Sequence, residues 1–395
     1  MCSTSAHAAD VLRVGLREDA HGLLAGPDGG AYVQVDRATG KTDVARVLPD
    51  GRIVLARGYD FLHGGALGAD GGAWYGVSDR LRALRVDPAG AAHVQLLTEP
   101  GFVAPLTSGA DGTVWATTGD EQRFATMAPD GRVTEVPSGH DAICDAPAFQ
   151  PFAMTRAADG AIWATGGCRR VTRNAVAYEL AASGEDVAPD PTGGVWVRLF
   201  GPVPGIVSHI TADGQLVDVE LPRALGSPDD IAAAPDGSAW LTFGRCTLAR
   251  VTVDGRVGVV ASPIPAREVA FDGTGTVWLA NRARVTRGLE GTCDGSAPRV
   301  RVPKRISLGA LRRGIPVTVA GRAQVTAYTS ANVKRQGFSP TPTIRTLARG
   351  GTFRARVQLY ERRQVKAGTR IFVVVAVTDD EGNERSSEFR VRVTR

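Results

Sequence analysis

One aromatic residue recurs about every forty positions, and this repeat limits the fold more than any other feature of the sequence. All six tryptophans stand in short motifs that begin with glycine: GGAWYG, GTVWAT, GAIWAT, GGVWVR, GSAWLT and GTVWLA. They are Trp74, Trp115, Trp163, Trp196, Trp240 and Trp278, and Tyr32 takes the same place in the upstream motif GGAYVQ. Because no tryptophan lies outside the pattern, the repeat marks a structural unit that occurs seven times.

Each unit contains four short segments that favour β-strands. The first ends in a tight turn such as PDGG or ADGT, the second carries the aromatic residue, and the third often ends in another Asp-Gly turn. Asp-Gly suits a two-residue hairpin because glycine accepts a positive φ without a Cβ clash. Four strands in a period near forty are typical of propeller blades, so we predict an all-β chain with a seven-bladed β-propeller. The aromatic side chains are expected to pack between adjacent blades.

The seventh unit is shorter than the others. After VWLANR and RVTRGLE the chain reaches GTCDGSAP, and no fourth strand follows before the composition changes. We predict that residues 11–18, VLRVGLRE, supply this strand from the N-terminal side, since ring closure removes open sheet edges.

Charge divides the chain into two parts. Residues 298–395 hold 21 Lys and Arg against 6 Asp and Glu, whereas the first 297 residues hold 25 against 35. With 395 residues, the chain is long enough for two domains. We therefore expect the propeller over 10–295 and a second domain over 298–395. No apolar run approaches eighteen residues, so no membrane span is predicted.

The sequence of the second domain predicts a β-sandwich. PVTVAG, AQVTAYT, IFVVVAVTD and EFRVRV alternate or are apolar throughout, and the closing VTDDEGNERSSEFRVRV resembles the last hairpin of immunoglobulin-like domains in bacterial surface proteins. Arginines alternate with other residues along 353–363 and 389–395, which predicts that they line one sheet face. This face either binds an anionic cell-surface polymer or is simply solvated.

The N-terminal residues 1–9 are expected to be processed or disordered. They lack an apolar segment, yet SAHA followed by AD resembles the end of a signal peptide. We therefore expect a secreted or cell-surface protein whose signal peptide is missing from this sequence, and we expect it to be a monomer. A disordered cytoplasmic end is the alternative.

The five cysteines contain no C-x-x-C pair, which argues against zinc. In an exported protein, Cys144 and Cys168 would lie on the same face of blade 4 and are expected to form a disulfide. Cys2 and Cys293 would lie near the opposite face and could form a second one if Cys2 survives processing, which leaves Cys246 unpaired.

Two His-Gly steps, His21 and His63, each stand eleven residues before an aromatic residue. That position falls at the start of the first strand, beside the central channel. The equivalent positions in all seven units are His21, His63, Ala104, Phe152, Glu185, Asp229 and Arg267, and the next position adds Asp186, Asp230 and Glu268. These residues predict a polar site at the channel mouth that takes a small-molecule or peptide ligand. Histidine can exchange protons there, and the carboxylates could hold Mg²⁺ or Ca²⁺. A merely solvated mouth is the alternative.

Units of the form GPDGxxW … RxTxDGRV resemble the streptogramin lyase (virginiamycin B lyase) group of seven-bladed propellers. The best matches are RVTVDGRVGVV at 250–260 and MAPDGRVTEVP at 127–137, and the resemblance covers about residues 10–290. It implies a lyase in which an imidazole at the channel acts as general base and opens a cyclic depsipeptide by elimination. It also implies a magnesium ion held by acidic side chains.

Carried onto this sequence, the resemblance implies His21 or His63 as the base. Asp19 stands two residues before His21, as the family pattern requires, and Asp19, Glu185 and Asp229 are the expected magnesium ligands. The position three residues past each aromatic residue, where the family has another carboxylate, holds no Asp or Glu in this chain. The alternative function is a non-catalytic propeller that binds its ligand through Phe152, Glu185, Asp229, Asp230, Arg267 and Glu268, with the basic domain as an anchor.

Overall fold

A computed structural model gives the fold of the chain. It describes residues 10–13, 18–77, 82–96, 103–108, 111, 113–117, 123–128, 132–137, 153–166, 169–174, 176–200, 205–293, 295, 298–331, 343–347, 349–355, 365–379 and 382–395. The chain divides into two compact units, and the division falls after Cys293. Across the described residues, no helix is long and apolar enough to cross a membrane.

Strands β1 to β28 lie in the first unit. The first fourteen are β1 (Asp10–Arg13), β2 (Asp19–Ala25), β3 (Ala31–Asp36), β4 (Lys41–Val47), β5 (Ile53–Asp60), β6 (Leu62–Leu67), β7 (Ala73–Val77), β8 (Arg82–Val86), β9 (Ala92–Leu96), β10 (Val103–Ser108), β11 (Val114–Thr117), β12 (Arg123–Met127), β13 (Val133–Pro137) and β14 (Ala153–Arg156). The others are β15 (Ile162–Thr165), β16 (Arg170–Arg173), β17 (Val176–Glu179), β18 (Ser183–Pro189), β19 (Val195–Phe200), β20 (Ile206–Ile210), β21 (Leu216–Glu220), β22 (Asp230–Ala233), β23 (Ala239–Thr242), β24 (Arg245–Val251), β25 (Val257–Ala266), β26 (Glu268–Phe271), β27 (Val277–Ala280) and β28 (Arg284–Arg287).

These strands form seven antiparallel sheets of four strands within the described residues. Blades 1 to 6 each use four consecutive strands, beginning with β2, and blade 7 consists of β26, β27, β28 and β1. The first strands of consecutive blades contact one another, and β26 contacts β2, so the ring closes. The first unit is therefore the predicted seven-bladed β-propeller, and its N-terminal strand completes blade 7 as expected.

The repeated aromatic residue stands on the second strand of every blade. Tyr32, Trp163 and Trp196 are fully buried. The Tyr32 hydroxyl donates to the Gly71 carbonyl in the next blade at 2.8 Å, and Trp196 Nε1 donates to Gly237, also one blade further on, at 2.9 Å. These contacts confirm the prediction that the aromatic side chains join adjacent blades.

The residue opposite the aromatic on the third strand also follows a pattern that the spacing did not reveal. It is an arginine in five blades: Arg46, Arg85, Arg173, Arg250 and Arg287. In blade 5 the same position holds His209, which stacks on Trp196 with ring centroids 4.2 Å apart and bonds the buried Asp190 at 2.7 Å. His209 is thus a packing residue between the sheets.

The second unit contains β29 (Val300–Arg301), β30 (Arg305–Ser307), α1 (Leu308–Leu311), β31 (Ile315–Val319), β32 (Ala323–Ala331), β33 (Thr343–Leu347), β34 (Gly351–Ala355), β35 (Arg370–Asp379) and β36 (Glu384–Thr394). They form a three-stranded sheet in the order β29-β31-β34 and a five-stranded sheet in the order β30-β36-β35-β32-β33. Both sheets contribute to one apolar core, to which Val317 and Phe353 come from the smaller sheet and Val325 and Val373 from the larger. Along β35, every second side chain is buried in this core, because successive residues of a strand face opposite sides of the sheet.

The prediction that the alternating arginines share one sheet face is wrong. Arg354 lies on β34 in the three-stranded sheet, whereas Arg390 and Arg392 lie on β36 in the five-stranded sheet. Alternating arginines lie on one side of their own strand. The alternation does not show whether two such strands belong to the same sheet.

The predicted cysteine pairing also requires correction. Cys293 forms a disulfide with Cys246, and the two Cα atoms are 5.6 Å apart. The expected Cys2–Cys293 bond is therefore wrong, and Cys246 is not left over. The segment after blade 7 returns along blade 6, where Leu289 packs on an apolar cluster of both blades, and this return brings the two cysteines together. Cys2, Cys144 and Cys168 lie outside the described residues.

Candidate functional site

A β-bulge shapes the His-Gly step at the start of blade 1. The register of β2 against β3 shifts between His21 and Leu24, and Gly22 has a φ of +65°. The positive φ favours glycine, and a Cβ at Gly22 would stand 2.6 Å from Gln34 Nε2, so a larger residue would also displace the Gln34 amide. Strand β6 repeats the bulge after His63, where Gly64 has a φ of +55°.

The bulge in β2 borders a cavity of about 700 Å³. Because its walls come mainly from the first strands of blades 1, 2, 6 and 7, the cavity lies at the inner edge of the ring. Six of the predicted site residues line it: Asp19, His21, Asp229, Asp230, Arg267 and Glu268. Five of these six are positions counted from the aromatic residue, and they converge on one polar cavity with Asp19, which the family resemblance implied.

His21 is held by a carboxylate that spacing alone did not identify. Its Nε2 lies 3.1 Å from Asp36 Oδ2, and both side chains are a little over one-third exposed. Thr42 Oγ1 donates to the other oxygen of Asp36 at 2.7 Å. With Nε2–H donating to Asp36, the lone pair is on Nδ1, so the neutral imidazole is a base at that nitrogen.

The bulge explains why Asp36 was missed. Without it, His21 would pair with Val35, the position three past Tyr32, and Asp36 would face the other side of the sheet. The extra residue in β2 pairs His21 with Gln34 instead. Asp36 follows Gln34 by two positions and so lies on the same face as His21.

Glu268 fixes the backbone of the bulge from the neighbouring blade. Its two carboxylate oxygens accept hydrogen bonds from the N–H groups of Gly22 at 3.0 Å and Leu23 at 2.7 Å. Glu268 thereby ties the first strand of blade 7 to the residues that follow His21. The wall of the cavity is continuous across this blade boundary.

Glu268 is the last of three carboxyl groups on the first strands of consecutive blades. Asp186, Asp230 and Glu268 occupy the same repeat position in blades 5, 6 and 7, and we call them the carboxyl chain. Asp230 accepts from Val269 N at 2.8 Å and is hydrogen-bonded to Asp186. Burial raises the pKa of Asp230 well above its usual range, and the negative charges of Asp186 and Glu268 raise it further. A protonated Asp230 can donate to Asp186, which removes the like-charge repulsion between them.

Burial also raises the pKa of the other two members of the carboxyl chain. For Asp186 the positive charge of Arg198 opposes the effect of burial, and for Glu268 the Leu23 N–H hydrogen bond does so. The carboxyl chain therefore keeps its protons to a higher pH than three carboxyl groups would in water. Two of its members, Asp230 and Glu268, line the cavity.

The other predicted site residues are placed differently. Glu185 is paired with Arg198 at 2.5 Å and does not line the cavity. The backbone of His63 is described, but its side chain lies outside the described part of the structure, and Phe152 lies outside it altogether.

The described residues do not fit the magnesium set that the family resemblance implies. Asp19 Oδ2 lies 3.5 Å from Arg282 Nε, and Glu185 forms an ion pair with Arg198. Among the residues that the structure describes, no group of three His, Cys, Asp or Glu side chains is arranged to hold a metal ion. Asn281, at the position where the family has a carboxylate, instead accepts from the N–H groups of Ala283 and Arg284.

Gln34 and Arg282 are two of the cavity-lining residues that were not predicted. Gln34 is almost fully buried and its Nε2 donates to the Gly64 carbonyl at 3.0 Å, which links blade 1 to the bulge of blade 2. Neither residue stands at the repeat position from which the site was inferred, because they lie on the second strand and in a loop of their blades. A search of the second strand for residues paired with the bulge would have found Gln34.

No family model and no curated protein matches the chain. Several solved structures match it in fold. A streptogramin B lyase structure is 17% identical, with a TM-score of 0.56, and the match covers 70% of this chain and 95% of that one. A catalytically inactive His-to-Ala variant of virginiamycin B lyase from Staphylococcus aureus, solved with quinupristin, gives 17% identity, a TM-score of 0.56 and coverages of 70% and 97%.

A third structure covers both units of the chain. The extracellular domain of a hybrid two-component system from B. thetaiotaomicron matches 96% of this chain and 56% of its own, at 10% identity and a TM-score of 0.51. At these identities the likeness concerns fold alone. The propeller of this protein has the fold of the streptogramin B lyases, as the resemblance of its repeats to that family predicted.

Proposed function

We propose that the propeller is a lyase that opens ester-linked cyclic peptides by C–O elimination, with His21 as the general base. The single observation that carries the proposal is the His21–Asp36 pair, a little over one-third exposed on the wall of a cavity of about 700 Å³. The lyase-like fold and the inactivity of a His-to-Ala variant of virginiamycin B lyase support the reaction class.

In the proposed reaction, His21 Nδ1 removes a proton from the carbon next to the one that bears the ester oxygen. The electron pair of that C–H bond forms a C=C bond, the adjacent C–O bond breaks, and the ester leaves as a carboxylate. Asp36 orients the imidazole and stabilises the imidazolium that forms. Arg267 and Arg282, which line the same cavity, supply positive charge for the leaving carboxylate. No water is consumed, so the linear product has the mass of the ring.

This equality of mass gives a sharp test. Purified protein is incubated with quinupristin in buffer containing Mg²⁺, and the product is followed by chromatography with mass spectrometry. A linear product of unchanged mass, with the absorbance of a new C=C bond, is the expected result. Hydrolysis would add one water, and its appearance would contradict the proposal.

Substitutions at the site and at a control position distinguish loss of catalysis from a general effect on the protein. His21→Ala is expected to lower the rate at least about 100-fold, and Asp36→Asn at least about tenfold. His93→Ala is the matched control, because His93 also faces a carboxylate, Asp87 at 3.4 Å, but is exposed and remote from the cavity. Ligand-induced thermal stabilisation without any product would instead favour the non-catalytic binding function.

We also propose that the protein works outside the cytosol and that its second unit is an immunoglobulin-like sandwich. The Cys246–Cys293 disulfide supports the first statement, because such bonds persist in oxidising compartments. Two sheets around one core, closed by the β35–β36 hairpin, support the second.

A further inference from the structure

The outer face of the five-stranded sheet carries a row of arginines. Arg305 on β30 pairs with Arg392 on β36, and Arg392 pairs with Arg370 on β35. Cross-strand partners share a face, so the three side chains project side by side from adjacent strands. All three are exposed. Neighbouring strands are about 4.8 Å apart, and the row therefore spans about 10 Å.

The part of the chain that the structure describes does not neutralise this row. Within the described residues, no acidic side chain forms an ion pair with Arg305, Arg370 or Arg392. The nearest ion pair on the face joins Glu388 to Arg390 at 3.6 Å, one row further along. Like charges directly opposite each other in a sheet repel, so the row is destabilising until an anion binds it.

Aromatic side chains continue the face next to the row. Phe372 pairs with Arg390, whose guanidinium carbon lies 5.6 Å from the ring centroid. Tyr328, paired with Val374 in the following row, is 37% exposed. The face thus offers flat apolar surface beside a line of guanidinium groups, which bind planar carboxylates in a bidentate way.

We propose that this arginine row binds an anionic polysaccharide, with successive carboxylates along the polymer accepting from Arg305, Arg392 and Arg370. The Cys246–Cys293 disulfide favours a polymer found outside the cytosol over a nucleic acid. The sequence alone left open whether the basic domain binds an anionic polymer or is simply solvated, and the strand register gives the residues that would bind such a polymer. This proposal is independent of the reaction proposed for the propeller.

The test uses the full chain and a defined probe, fluorescently labelled polygalacturonate oligomers, in a titration at low salt. Binding is expected, and it should weaken as salt rises. Arg392→Gln, in the centre of the row, should raise the Kd by about tenfold, and Arg305→Gln with Arg370→Gln should do so together by more. Methyl-esterified oligomers, which lack the charge, should not bind.

Arg385→Gln is the matched control. Arg385 is exposed on the same strand as Arg392, but its cross-strand partner is the buried Val377, so it lies on the opposite face. The control should bind the oligomers as the unaltered protein does. An equal loss in Arg385→Gln would show an unspecific charge effect and overturn the proposal, as would the absence of binding to polygalacturonate. Tighter binding of double-stranded DNA, lost in Arg392→Gln, would assign the row to nucleic acid instead.

Discussion

At the scale of single residues, two neighbouring tyrosines show opposite hydrogen-bonding states. Tyr32 and Tyr75 are both fully buried, and burial raises the pKa of both phenols. The Tyr32 hydroxyl donates to the Gly71 carbonyl, whereas the Tyr75 hydroxyl has no hydrogen-bond partner among the described residues. A buried hydroxyl without a partner lowers stability, while a bonded one contributes to it.

This contrast gives a paired prediction. Tyr32→Phe should lower the free energy of unfolding by about 1 kcal/mol, because Gly71 loses its donor. Tyr75→Phe should raise it by about 1 kcal/mol, because an unsatisfied polar group is removed at nearly constant volume. Chemical unfolding followed by tryptophan fluorescence measures both changes. Equal destabilisation by the two variants would contradict the assignment of the Tyr75 hydroxyl.

At the scale of elements, the carboxyl chain couples the first strands of blades 5, 6 and 7 to pH. Because the pKa of Asp230 is raised in the folded state, the native protein keeps a proton that the unfolded chain has already lost. Between the ordinary aspartate pKa and the raised one, stability therefore falls as pH rises.

Asp230→Asn is predicted to remove this fall in stability with rising pH. The amide still accepts from Val269 N–H and donates to Asp186 as the protonated acid does, so the variant should be about 1 kcal/mol more stable than the unaltered protein above the raised pKa. Below the ordinary pKa the two should be equally stable. Thermal midpoints measured by circular dichroism from acidic to alkaline pH give the two curves.

Asp236 in the same blade is the control, because its pKa shift has the opposite direction to that of Asp230. A hydrogen bond from Ser238 and the charge of Arg250 lower the pKa of Asp236, which opposes a smaller effect of burial. Its contribution to stability is present above the ordinary aspartate pKa and is lost as pH falls through the lowered one. Asp236→Asn should therefore lower stability at neutral pH. A gain in both variants would point to net charge rather than to the carboxyl chain.

Elements also show how far the sequence could be followed. The aromatic period predicted the number of blades, the turns and the strand that closes blade 7, because seven copies repeat the same local chemistry. It could not predict Asp36 as the partner of His21, since one bulge residue changes which side chains share a face. The pairing of Cys246 with Cys293 was missed for a related reason: it depends on the path of a non-repeating segment, which no periodicity describes.

At the scale of the whole molecule, the Cys246–Cys293 disulfide ties the segment that leaves the propeller to the third strand of blade 6. The two residues are 47 positions apart in the sequence. Closing a loop of that length in the unfolded chain removes conformational entropy worth about 4 kcal/mol. The bond therefore stabilises the last two blades against opening.

Reduction should consequently lower the thermal midpoint of the propeller. The variant with Cys246→Ser and Cys293→Ser should show the lower midpoint without reductant and should not respond to reductant. Differential scanning calorimetry with thiol quantification measures both quantities. A midpoint that stays constant while both thiols become titratable would refute the stabilising role of the bond.

The pairing of β1 with β28 also has a consequence for biosynthesis. Asp10–Arg13 emerge from the ribosome before any blade exists, and their partner strand is translated only after nearly the whole propeller. Until then six blades form an open arc that leaves an apolar sheet face uncovered at each end, and the early segment has no partner strand. A nascent chain that stalls before Arg287 would expose those faces, so we expect stalled chains to misassemble with their own copies.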